Sequence, residues 1–402
     1  MNKTPKLRFK EFSGEWESKQ LSNYTEKITK KNKDFLVKNV ISNSAKNGLV
    51  SQRDFFDKDI ANQNNIDGYY IIENGDFVYN PRKSIESPYG PVNRYNLEDA
   101  GVVSPLYLCF KINQKINGEF LQYYFKSSKW YRFIYQNSDQ GARHDRVSIK
   151  DAEFFKLDTK FPSLEEQEKI ASFFSLIDKK ISLQSEKVEM LKEYKKGMMQ
   201  KIFSRELRFK DDSRIDYPEW KCMKLEEILT IPEKIKEENI SKDKLLTVKL
   251  HRKGVHVNEN TETLSIGSTV YYKRKAGQII YGKQNFFNGA IAIIPKKFDG
   301  FISSGDVPAL DVNNNVADSV YILNFIGRDT FYKRTEALAT GTGSKRLHEN
   351  ILLDISIELP CIDEQKKIVD LLNKINEKLE KEQEKLDSLN EYKKGLLQQM
   401  FV

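Results

Sequence analysis

The side chains best suited to catalysis are few and scattered. Four histidines (His144, His251, His256, His348) and three cysteines (Cys109, Cys222, Cys361) never fall at metal-ligand spacing with one another or with a carboxylate. No Ser-His-Asp arrangement can be argued from their positions. Gly341-Thr342-Gly343-Ser344-Lys345 has the wrong spacing for a phosphate loop, and no glycine fingerprint for a dinucleotide follows a strand. Asn80-Pro81-Arg82-Lys83 shares only its first two letters with the tetrapeptide of adenine methyltransferases. Glu193-Tyr194-Lys195 and Glu391-Tyr392-Lys393 fit a nuclease-like Glu-x-Lys, but they sit on heptad-patterned helices without an upstream acid on a strand. They are read as helix-surface charges.

The chemistry that remains is binding to an acidic polymer. Thr263 to Phe298 holds six basic residues and no acidic one, with Tyr271, Tyr272, Tyr281, Phe286 and Phe287 interleaved. Lys273, Arg274, Lys275 and Lys283 supply cations for phosphates, and Gln284 and Asn285 supply amides able to read adenine edges. Asn80 to Arg94 forms a Pro/Gly-rich loop carrying Arg82, Lys83 and Arg94. Basic residues recur just before two long helices: Arg143, His144 and Arg146 ahead of the first, Lys345, Arg346 and His348 ahead of the second. All of these are predicted DNA contacts. Lys126, Lys129 and Arg132 are read instead as the solvent face of a helix over Phe120–Tyr135.

These groups must be positioned by a repeated frame. At a constant offset of 198 residues, 17 of 43 positions are identical between Phe161–Phe203 and Leu359–Phe401. The shared core is Pro162-x-x-x-Glu166-Gln167-x-x-Ile170 against Pro360-x-x-x-Glu364-Gln365-x-x-Ile368. Apolar residues then alternate at spacings of four and three. Ile170, Phe174, Ile177, Ile181 and Leu191 mark the first seam; Ile368, Leu372, Ile375, Leu379 and Leu389 mark the second. This is a coiled-coil pattern, predicting helices that pair and offer partner docking. Gln184, Lys195, Glu382 and Lys393 interrupt it and can fix register. Ser163 with Glu166 suggests a capping box, which Cys361 weakens in the second copy.

Weaker echoes complete the repeat. Leu7-Arg8-Phe9-Lys10 resembles Leu207-Arg208-Phe209-Lys210, and Arg146-Val147 resembles Arg346-Leu347. Short β-like runs (Tyr69–Ile72, Phe77–Tyr79, Val102–Phe110; Gln278–Tyr281, Ala290–Ile294, Val320–Phe325) alternate with turn residues. The predicted fold is α/β of the mixed α+β kind. Two globular units, 1–160 and 204–358, alternate with long helices at 161–203 and 359–402 that pair as an antiparallel coiled coil. The charged stretch Ser204–Pro218 is the expected boundary. Because the repeat is cyclic in order, the two chain ends are expected to lie together.

Composition agrees. The 402 residues suggest two or three domains at about 150 residues each. Lys plus Arg is 66 against 58 Asp plus Glu, a net charge of +8 that permits nucleic acid and excludes a strongly acidic DNA mimic. No apolar run spans a bilayer and Met1–Lys10 lacks a signal-like core, so no membrane association and a cytoplasmic location are expected. The odd, sparse cysteine count fits a reducing compartment.

Together, the duplicated Pro-x-x-x-Glu-Gln-x-x-Ile helix starts, the paired seams and Gly101-Val102-Val103-Ser104-Pro105-Leu106-Tyr107 resemble the specificity subunits of type I restriction–modification enzymes. The second unit offers only Ser303-Ser304-Gly305-Asp306-Val307-Pro308 at the corresponding place. The resemblance implies a non-catalytic subunit with two target recognition domains. Each would read half of a bipartite site on double-stranded DNA, with the helices as spacer. It implies two modification subunits that bind S-adenosylmethionine and methylate adenine N6. It also implies restriction subunits that use ATP and Mg, with no cofactor in this chain. A self-contained nuclease or methyltransferase, and a coiled-coil protein scaffold, are the competing classes.

Overall fold

The structure is a computed structural model that describes residues 4–33, 35–52, 66–139, 145–238, 240–259, 269–341 and 343–402. It comprises two compact units, residues 1–187 with 382–402, and residues 188–381. The division falls within the two long helices, Leu164–Phe203 and Ile362–Met400, and not at residues 204–218. Among the described residues, no helix is long and apolar enough to cross a membrane.

The first unit is built on an antiparallel four-stranded sheet in the order Thr25–Lys27, Leu108–Ile112, Phe77–Tyr79, Val92–Arg94. Its central strand Phe77–Tyr79 is wholly buried, as a run of apolar residues covered on both faces requires. A hairpin pairs Ile41–Ser44 with Gly48–Ser51, and Tyr70–Ile72 pairs with Gly101–Val103. The second unit repeats this plan. Its sheet runs Leu229–Thr230, Ala309–Val312, Ile279–Tyr281, Ile291–Ile293, beside the hairpin Leu246–Val248/Val255–Val257 and the pair Tyr271–Lys273/Ile302–Ser304.

Three sequence expectations are corrected. Val102–Phe110 is two strands, because Pro105 and its neighbours form a turn between Val103 and Leu108. Val320–Phe325 is helical: Asp318 caps Ser319–Ile326 by accepting the Val320 and Tyr321 N–H groups, a start signal that outweighs the β-branched run. Phe120–Tyr135 is two helices, Gly118–Lys126 and Tyr131–Asn137. Ser127 breaks it, its hydroxyl donating to the Tyr124 carbonyl, and Trp130 donates to the Phe125 carbonyl at 3.0 Å.

The seam behaves as its spacing requires. Ile170, Phe174, Ile177, Ile368, Leu372 and Ile375 are buried, and Ile181, Leu191, Leu379 and Leu389 are half-buried. Within the first unit the two helices run antiparallel. Asp178 pairs with Lys393, and Gln184 donates to the Glu382 carboxylate at 2.8 Å. Two of the predicted polar interruptions thus satisfy each other. Gln184, Lys187 and Lys385 hold the Glu382 carboxyl down to about 2.

The repeated motifs have a structural purpose that their spacing alone did not reveal. Glu166 is buried, and its carboxylate takes both the Nε and an Nη of Arg8 at 2.7 Å. The predicted capping box is therefore only half formed. Ser163 accepts the Glu166 N–H at 3.4 Å, while the carboxylate turns to the stronger bidentate guanidinium. In the second unit Arg208 and the Trp220 indole donate to buried Glu364. The neighbouring glutamines act alike. Gln167 donates to the Pro162 carbonyl and accepts the Asn117 N–H; Gln365 donates to the Pro360 carbonyl and accepts the Asp318 N–H. Each Glu-Gln pair thus ties a long helix to its globular unit. The cyclic order also holds: Leu7 N–H bonds the Gln399 carbonyl at 3.0 Å, as Leu207 N–H bonds that of Lys201 at 3.0 Å.

Candidate nucleic-acid interface

In each unit one backbone joint gathers predicted basic residues that are far apart in sequence. In the first, Val147 N–H bonds the Pro81 carbonyl at 2.8 Å and Lys83 N–H bonds the Asp145 carbonyl at 2.9 Å. Arg82 and Arg146 therefore stand opposite each other in an antiparallel bridge. They edge a cleft of about 320 Å³, lined also by Asn43, Asn80 and Tyr107. Arg82 and Lys83 are exposed, and neither has an ion pair among the described residues. Among the described residues, Arg146 is ion-paired only with its chain neighbour Asp145, at 3.9 Å.

In the second unit Leu347 N–H bonds the Lys283 carbonyl at 2.9 Å, the same joint. It brings Lys283 beside Arg346. Here each cation meets a carboxylate: Lys283 and Glu349 at 2.9 Å, Arg346 and Asp306 at 3.3 Å, Lys345 and Glu336 at 3.1 Å. Burial pushes the Glu349 carboxyl up and the Lys283 hydrogen bond pulls it down, leaving it below the ordinary carboxylate value. The adjoining cleft, about 600 Å³, is lined by Tyr271, Tyr272, Lys283 and Asp306. Gln284 and Asn285 are exposed beside it in sequence, and Asn285 accepts from the Asn288 amide. His348 is exposed at the start of helix Glu349–Leu353.

Other predicted contacts fall elsewhere. Arg274 is corrected: it is 4% exposed, and its guanidinium is consumed by the Ser303 hydroxyl at 2.7 Å and the carbonyls of Ser304 and Val307. Burial lowers its pKa to about 10, so it stays charged as an internal brace. Lys273 pairs with Glu237 at 3.0 Å, and exposed Lys275 lies outside both clefts. Arg94 is half-buried on strand Val92–Arg94, facing a different cavity. Arg143 and His144 lie outside the described residues.

Sequence reasoning missed the hairpin Ile41–Ser51, which lines the first cleft through Ser42, Asn43, Ser44 and Val50. The signal was present: Asn47-Gly48 sits between two short runs, and Gly48 has φ 71°. Asn43 fixes the hairpin, donating to the Val78 carbonyl at 2.7 Å and accepting from Asn93.

Each α+β unit of the duplicated plan thus has a cleft at the same joint, edged by Arg82 and Arg146 in the first unit and by Lys283 in the second. Residues 217–391 match the model of the type I restriction modification DNA specificity domain. The chain is 25% identical over 297 residues to the type I restriction enzyme MjaVIII specificity subunit of Methanocaldococcus jannaschii, covering 68% of each. It is 23% identical over 305 residues to the putative MjaX specificity subunit of that organism, covering 70% of this chain and 67% of the other. Its fold is shared with a type I restriction–modification S subunit from M. genitalium, at TM-score 0.54, 16% identity and 99% coverage of both chains. It is shared also with a chain of a type I R-M system, at TM-score 0.55, 12% identity and 95% and 96% coverage. The chain thus carries a match to the type I restriction modification DNA specificity domain over residues 217–391 and is similar to specificity subunits of type I restriction enzymes over about two thirds of its length.

Proposed function

We propose that each unit reads one half of a bipartite site on double-stranded DNA and that the long helices fix the gap between the halves. The observation that supports this is the repeated joint, Val147 to Pro81 and Leu347 to Lys283, which sets a cleft and its neighbouring cations at the same place in each unit. Two readers on a stiff spacer recognise two half-sites at fixed separation. Arg82, Lys83 and Arg146, with Lys283, Lys345, Arg346 and His348, hold phosphates; Gln284 and Asn285 read base edges. Lys273 and Lys275 add charge outside the clefts, and Arg143 and His144 are further DNA contacts in this reading.

The chain itself performs no chemistry and acts in the cytoplasm. Two modification subunits dock on it, bind S-adenosylmethionine and methylate adenine N6 after extruding the base. Restriction subunits using ATP and Mg join for cleavage. The test is adenine methylation mapped genome-wide in cells carrying the partner methyltransferase with and without this chain. The reading requires a two-part motif of fixed gap that appears only with the chain. No new motif, with the partner folded and bound, contradicts it.

A further inference from the structure

A second cavity, of about 480 Å³, opens in the first unit apart from the cleft holding Arg82 and Arg146. Its rim is the hairpin tip at residues 45–49. Its walls are strand Val92–Arg94, helix Gly118–Lys126 and Lys393 on the C-terminal long helix. Four cations line it, Lys46, Arg94, Lys126 and Lys393, against one carboxylate, exposed Glu86. The Arg94 Nε is buried and has no hydrogen-bond partner. Lys393 and Lys126 share a single acid, Asp178, which lies 4.0 Å from Lys126 and also accepts from the Tyr123 hydroxyl. Burial, and then repulsion by Lys393, push the Lys126 ammonium down to about 8. An excess of positive charge thus lines an open, polar space.

The second unit shows what this place looks like when it is filled. Its strand Ile291–Ile293 pairs with Ile279–Tyr281 as Val92–Arg94 pairs with Phe77–Tyr79. Asn117 and Asp318 cap equivalent helices, each giving its backbone N–H to the glutamine of the repeated motif. By this register Ile293 replaces Arg94 and Gly327 replaces Lys126. A Cβ on Gly327 would meet the Arg252 Nε at 2.7 Å, and Arg252 donates to Asn324. One unit closes the position with its own guanidinium; the other leaves it open and ringed with cations.

We propose that the cavity between the hairpin tip and helix Gly118–Lys126 of the first unit binds a phosphate-bearing anion through Lys46, Arg94 and Lys126. Its size falls within the range of about 300–1,000 Å³ seen for small-ligand sites, enough for a mononucleotide. The phosphate can come from a free nucleotide or from a nucleic-acid backbone, and the test separates these sources.

The full chain is titrated calorimetrically at constant ionic strength with AMP, with inorganic phosphate and with a short duplex lacking the methylated motif. Wild type is compared with Lys126→Gln and with Lys46→Glu, the latter at an exposed position on the hairpin tip. AMP and phosphate binding that weakens about tenfold or more in both variants establishes the site with a free ligand. Loss confined to the duplex establishes it with backbone phosphate. Affinities for all three unchanged by both variants, with melting temperatures intact, overturn the proposal.

Discussion

The two units share a plan and differ in how the cations at their clefts are balanced. In the first, Arg82 and Lys83 face solvent with no ion pair among the described residues. In the second, Lys283, Lys345 and Arg346 each meet a carboxylate. A free surface cation gains phosphate contact while releasing a counterion from DNA. A paired cation must first give up its carboxylate, so its net gain is smaller. The joint is therefore duplicated while the electrostatic work is not. Under the proposed function, the first unit is expected to supply more of the salt-sensitive affinity, and the second contacts held in fixed geometry by its own acids.

The largest expected effect concerns the anchors and not the clefts. Arg8→Ala leaves Glu166 buried without its guanidinium and should cost about 3–5 kcal/mol, the range for breaking a buried pair. Arg208→Ala should cost less, because the Trp220 indole still donates to Glu364 at 3.2 Å. Chemical denaturation of the two variants tests the order; equal losses would show that the Trp220 bond contributes nothing.

Inserting four residues, about one helical turn, at Gln184 should change the gap in the methylated motif while leaving both half-sites intact. Altered half-sites would remove the spacer role. Glu349→Gln should free Lys283 and raise DNA affinity by up to about fivefold, the scale of a weak ion pair. Titration of a labelled target duplex reads this, and weaker binding would mean that Glu349 itself contacts DNA.

The smallest effect is acid stability. Glu382 is held near 2, below its unfolded value of about 4.3, so its stabilising contribution is present above that value. It is lost as pH falls from about 4.3 through about 2. Glu382→Gln should flatten the fall in melting temperature across that window, and an unchanged slope would contradict the pairing with Gln184, Lys187 and Lys385.

Much of this was legible in sequence because periodicity and repetition are local signals. The seam residues and both long helices were written in the four-three spacing. The equivalence of Arg146-Val147 and Arg346-Leu347 was visible before the joint they make. What stayed hidden depends on long-range partners. Arg274 looked like a phosphate contact until Ser303, far along the chain, was seen to take its guanidinium. Lys126 is exposed, as a solvent-facing helix residue should be, but nothing in the sequence signalled that it also lines a cavity with Lys393. The carboxylates that neutralise the second cleft, Asp306, Glu336 and Glu349, sit outside the acid-free stretch Thr263–Phe298 and were not weighed with it.

The contrast between the clefts is tested most directly by the salt dependence of binding to the methylated target duplex, with the modification subunits assembled. Each phosphate contact contributes about 0.9 to the slope of log affinity against log salt. Arg82→Ala with Arg146→Ala should lower the slope by about two, whereas Lys283→Ala with Arg346→Ala should lower it by clearly less. Equal slopes for the two double variants, or a larger drop from the second, would contradict the account.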